Sequence, residues 1–172
     1  MKTFLLKRQI IFLFSLAVFS VTNLNAQKKI KDYLLIGSCM FVSGMLDGTI
    51  ESINYHYDRG FKRRFSNAGD QFWNPALSWK NKYKNYDFTQ GPKFTGSTTV
   101  FVCATDAYHL MRTAKRGVDC LATVYYMNKT YAERKTEKRK KWKNMAKDFF
   151  ILTAIRCVGF HCTYSVLFKQ KN

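Results

Sequence analysis

The stretch YLLIGSCMFVSGMLDGTIESI, residues 33–53, decides how the chain folds. No charge interrupts it before Asp47, so its apolar part is about fourteen residues, shorter than a helix that crosses a bilayer. Gly37, Phe41, Gly44 and Gly48 fall on one face at helical spacing, and Gly44-Met-Leu-Asp-Gly48 is a GxxxG. Small residues at that spacing let a second helix approach closely, in a membrane pair and in a soluble bundle alike. The stretch therefore reads as a helix whose glycine face has room for another, although a lone GxxxG is a weak signal.

Two further apolar segments could supply that partner. STTVFVCATDAYHLM, residues 97–111, resumes after the basic run Arg112 to Arg116 and Gly117 as VDCLATVYYM, residues 118–127. A mid-helix glycine costs only about 1 kcal/mol relative to alanine, so one long helix and two short ones are both open. FFILTAIRCVGFHCTYSVLF, residues 149–168, is long enough to span, with Arg156 and His161 inside it. Ionisable groups at that depth are expensive and face the protein interior or water. The expected fold is all-α: a small, membrane-associated bundle of apolar helices with an irregular aromatic and basic segment.

The N-terminus reads as an export signal. Lys2, Lys7 and Arg8 precede an apolar core from Ile10 to Val21, and TNLNAQ follows. A charged start, an apolar core and a small residue before a polar one describe a secretory signal peptide, cut here between Ala26 and Gln27. An uncleaved N-terminal anchor is the alternative. Residues 1–26 form that signal, and residues 27–172 a single helical domain.

Without the signal, 26 basic residues still face 11 acidic ones. Such an excess suits anionic lipid headgroups or nucleic acid, and export makes nucleic acid the poorer partner. Residues 58–96 interleave Trp73, Trp79, Tyr83 and Tyr86 with lysines, as a membrane–water boundary favours. A packed loop and a single-stranded nucleic-acid groove have the same composition. Residues 128–144, NKTYAERKTEKRKKWKN, offer a polybasic patch for anionic lipid, with Lys138, Arg139, Lys140 and Lys141 at its centre. A solvated helix would read the same way. If the flanking segments span, the positive-inside rule places this loop in the cytoplasm, yet the 56–97 loop is basic too. A re-entrant segment at 97–127, or helices lying on the membrane, would remove the conflict. Cys39, Cys103, Cys120, Cys157 and Cys162 form no CxxC pair and lie in apolar segments, so reduced, buried packing residues are expected.

Chemistry has few places to reside. There is no HExxH, GxSxG, P-loop or GxGxxG. Asp106 and His109, three apart in TDAYHLMR, form the candidate catalytic pair. If the helices converge, Glu51, Asp106, His109 and His161 could hold a divalent metal such as zinc, as bundles do with i, i+3 pairs. That site would activate water for hydrolysis. The alternative is that Asp106 pairs with His109 or Arg156, and Asp47 or Glu51 with another base.

DAYHL resembles the Asp-x-x-His signature of VanZ-like and YfiM-like membrane and envelope proteins, with Ala107 standing where those have Lys. NAQ, DQFWNPALSWKNKYKN and GSTTVFVCATDAYHL together resemble small exported proteins of Bacteroidota-type bacteria. The resemblance implies an envelope location and carries no activity. The leading expectation is a membrane-associated envelope protein that is structural or binds a lipid or protein partner. A metal-dependent hydrolase of a lipid or envelope substrate comes second, and a secreted polyanion-binding protein third.

Overall fold

The computed structural model describes residues 27–132 and 138–169. The expected signal, residues 1–26, lies outside the described residues. Helix α1 (Gln27–His56) continues as a π-helical turn, Tyr57–Lys62. Two short helices, α2 (Asp70–Trp73) and α3 (Pro75–Ser78), begin a run of 3-10 turns that ends at Ala104. Helix α4 (Ala107–Ala132) and helix α5 (Lys138–His161) follow, and α5 also passes into a π-helical turn, Cys162–Leu167. The expected all-α fold is what the described residues adopt.

Helix α1 is the centre, with α4 and α5 both laid along it. Tyr33 meets Asp148, Asp47 meets Arg156 and His56 meets Tyr164, so α1 and α5 run parallel. Ser43 meets Asp119 and Asp47 meets Lys115, so α4 runs antiparallel to α1.

The glycine face is used for the close approach that its spacing allows. A Cβ on Gly44 would overlap the Arg156 carbonyl oxygen and lie 2.9 Å from the Phe160 nitrogen. On Gly48 it would collide with the Thr163 hydroxyl and stand 2.6 Å from the Phe160 carbonyl oxygen. Gly159 of α5 returns the arrangement against the Phe41 carbonyl. The two backbones thus touch where side chains would hold them apart. Thr163 then donates to the Met45 carbonyl at 3.0 Å, a hydrogen bond that needs this proximity.

The apolar segment at 97–127 departs from expectation. Residues 97–105 are turns, and α4 starts only at Ala107. It then continues through Gly117 without a break, so there is neither a pair of short helices nor a re-entrant hairpin. A substituted Gly117 would meet nothing within 4 Å, and packing along α1 outweighs its modest helix penalty.

Residues 63–106 cap the C-terminal end of α1. Asn74 accepts from the Ala76 N–H at 3.0 Å and Pro75 sits in the first turn of α3, a favoured helix start. Buried Asn81 donates to the carbonyls of Gln71 (2.7 Å) and Thr105 (2.9 Å), tying α2 to the entry of α4. Beneath the cap, Ile53, Tyr57, Phe61 and Phe168 form an apolar cluster. Phe61 stacks on Trp73 at 4.9 Å between ring centres, and the two π-helical turns meet through Phe61 and Phe168.

Along the helices themselves burial is partly inverted. The largest fully buried side chains are Ile36, Ile53, Asp106, Ser43, Ser52, Ser78 and Ser97. Leu34, Val42, Phe149, Phe150 (71% exposed), Ile151 and Val158 face outward. The cysteines are free, but Cys120 and Cys157 are exposed and the other three only half-buried, against the expectation of burial. Their helices turn apolar faces outward, so lying in an apolar segment does not bury them. Residues 30–62 and 141–167 are each long and apolar enough to cross a membrane.

If the glycine crossing governs assembly, Gly44→Leu and Gly159→Leu should each lower stability by about 1–3 kcal/mol or more through overpacking. Gly117→Ala, into open space, should stabilise by up to about 1 kcal/mol. Thermal unfolding of detergent-solubilised protein, followed by circular dichroism, reads both.

Candidate functional site

The Asp106–His109 pair sits where the cap feeds into α4. Asp106, 1% exposed, is the residue before the helix, and its Oδ1 accepts the His109 backbone N–H at 2.9 Å. This is an N-cap, with the carboxylate satisfying a donor that the first turn leaves unpaired. The same carboxylate lies 2.8 Å from His109 Nδ1 and accepts from the Thr105 hydroxyl at 3.0 Å. A carboxylate only accepts, so Nδ1 carries the proton. The ring is about one-third exposed. The i, i+3 spacing therefore reports a helix start rather than a mid-helix face.

The four expected metal ligands do not gather. Among the described residues no three His, Cys, Asp or Glu side chains stand together as a metal site. His161 is exposed, and its Nδ1 lies 3.1 Å from the Ser165 hydroxyl. Glu51 is half-buried on α1 and makes no hydrogen bond or ion pair. Asp106 is committed to its cap. Of the expected set, only Asp106 and His109 are brought into contact.

The interface residues divide. Trp79 is exposed with Lys80 5.7 Å from its ring centre, whereas Trp73 is half-buried against Phe61 and serves the core. Lys138, Arg139 and Lys140 fall in the first turn of α5, their side chains outside the described residues, and Lys141 is half-buried.

Two polar clusters join all three long helices. In the first, Arg156 of α5 pairs with Asp47 of α1, and Lys115 of α4 lies 3.7 Å from the same carboxylate. Lys115 also binds Asp119 at 2.7 Å, which accepts from the Ser43 hydroxyl at 2.5 Å. Asp47 thus has the basic partner its position demands. In the second, Lys129 and Asp148 form an ion pair at 2.9 Å, each 5% exposed. The Lys129 ammonium stands 3.5 Å from the centre of the Tyr33 ring, and Tyr33 donates to Asp148. Sequence reasoning passes over this second cluster, because Lys129 and Asp148 lie in polar runs beside the apolar segments. A signal was present in the lone aspartate directly before FFILTAI.

Where the cap leaves α1, Asp70 accepts from Lys62 at 2.6 Å and from the Tyr57 hydroxyl at 2.8 Å. The Lys62 ammonium and the Tyr57 hydroxyl hold its carboxyl below the usual carboxylate range. Comparison with protein-family models, curated proteins and solved structures finds no match to the chain.

Asp106→Ala should cost about 1–2 kcal/mol through the lost cap, while Asp106→Asn, which still accepts the N–H, retains most of it. Chemical unfolding in detergent measures the difference. Because the folded Asp70 pKa is depressed, its contribution is fully present above the unfolded value of about 3.9 and is lost as pH falls through the lower folded value. Amide exchange over residues 70–73 should therefore quicken only in strong acid, and Asp70→Asn should make it fast at neutral pH.

Proposed function

We propose that this is a membrane-embedded protein of the cell envelope whose task is structural or binding, toward a lipid or a protein partner. The observation that carries this reading is the partly inverted burial along α1 and α5. Only 33% and 11% of the most apolar windows of the two candidate spans are buried. A core helix of a soluble bundle turns its apolar stripe inward. Here the inward faces carry glycine, serine and paired charges beside Ile36, Ile50 and Ile53, while the outward faces carry leucine, valine and phenylalanine. A contiguous apolar exterior of that kind marks a surface met by lipid or a partner.

The ends of the bundle support the same reading. Trp142, 70% exposed, stands among Lys141, Lys143 and Lys147 at one end, and Trp79 beside Lys80 at the other. Tryptophan and snorkelling lysine favour the headgroup level. Envelope location rests on the export pattern of residues 1–26. The hydrolase reading retains the Asp106–His109 contact, which orients an imidazole as a general base requires, with no third metal ligand beside it among the described residues.

Chain reconstituted with phosphatidylcholine vesicles should float with them through a density gradient and stay with them in alkaline carbonate. Release into the soluble fraction by carbonate would overturn the embedded reading. Binding abolished by salt alone would favour a basic polyanion binder.

A further inference from the structure

An open cavity of about 550 Å³ lies where α1 and α4 give way to the cap. Thr49 of α1 and Met111 of α4 line it on one side, and Phe61, Phe65, Ala68 and Trp73 on the other. Its wall is mainly apolar, and its volume lies within the range of small-molecule sites. Phe65, one of its linings, is 46% exposed, so the apolar surface reaches the outside.

The rim of this cavity is cationic. Arg64 lines it and is exposed, and its side chain has no hydrogen-bond or ion-pair partner among the described residues. Its neighbours differ: Lys62 is held by Asp70 and by the Ala68 carbonyl, and Arg63 donates to the Lys169 carbonyl. Ser66 and Asn67 add polar groups beside Arg64. An unpaired guanidinium presents a fork of donors that matches a phosphate in two-point contact. An apolar chamber with one such group at its rim fits an anionic amphiphile better than a peptide or a nucleotide.

Given the membrane reading above, on which this rests, the bilayer supplies that amphiphile. We propose that the cavity takes one acyl chain of an anionic phospholipid, with the phosphate on Arg64. Phe61 and Trp73 would pack along the chain, with the half-buried Thr49 and Met111 lining the same chamber.

Trp73 lines the cavity and can report its occupant. The full chain carrying Trp79→Phe and Trp142→Phe keeps Trp73 as its sole tryptophan. It is placed in phosphatidylcholine nanodiscs containing a small fraction of phosphatidylglycerol with brominated acyl chains, or the same fraction of brominated phosphatidylcholine. One cationic contact at an anionic surface corresponds to about a fivefold preference, so quenching per mole should favour the anionic lipid by about that factor. Arg64→Gln should abolish the preference, and Arg59→Gln, which removes a charge outside the cavity lining, should leave it intact. Equal quenching by the two lipids, or a preference that survives Arg64→Gln, overturns the proposal. Stronger quenching by a brominated free fatty acid than by the phospholipid overturns the phospholipid as occupant. Vesicle flotation of the same variants separates the failures. A chain that floats without the preference refutes the cavity site alone, and one that does not float refutes the membrane reading with it.

Discussion

The bundle depends on backbone-to-backbone contact between α1 and α5 at Gly44, Gly48 and Gly159. Everything else along that seam is short because the axes are close. Thr163 reaches the Met45 carbonyl and Arg156 reaches Asp47. A few tenths of an ångström of separation would weaken each of these directional contacts together. Where the helices touch at these glycines there is little side chain between them, and backbone packing and hydrogen bonding carry the contact.

Closeness also explains how the charged groups are tolerated. Asp47 answers to both Arg156 and Lys115, and Asp148 to Lys129, Tyr33 and Tyr126. In each cluster the charges come from different helices, so the pairing fixes register as well as neutralising charge. A buried pair is costly to break because removing one partner strands the other. The tyrosine face beneath the Lys129 ammonium adds a cation–π contact in a site shielded from water.

The long helices and the glycine seam were legible in residues 33–53 and 149–168 because periodicity and small-residue spacing are local. The start of α4 was not. Residues 97–105 are as apolar as a helix interior, but Asp106 competes for the backbone and ends up capping the helix it was expected to lie within. The proposed convergence of Glu51, Asp106, His109 and His161 failed for a related reason. Sequence spacing tells which residues share a face of one helix, and it does not set how two faces are turned toward each other. Asp106–His109 survived because both partners belong to one turn. Lys129–Asp148 escaped notice because its meaning depends on the return of a second helix.

The seam closes between residues more than a hundred positions apart, as the Asp47–Arg156 pair illustrates with a separation of 109. During synthesis α1 is complete long before α5 exists. Until then the notch at Gly44 and Gly48 stands empty, and Asp47 lacks its arginine. A chain that stops before α5 therefore leaves the backbone groove at Gly44 and Gly48 uncovered, with Lys115 as the remaining base beside Asp47.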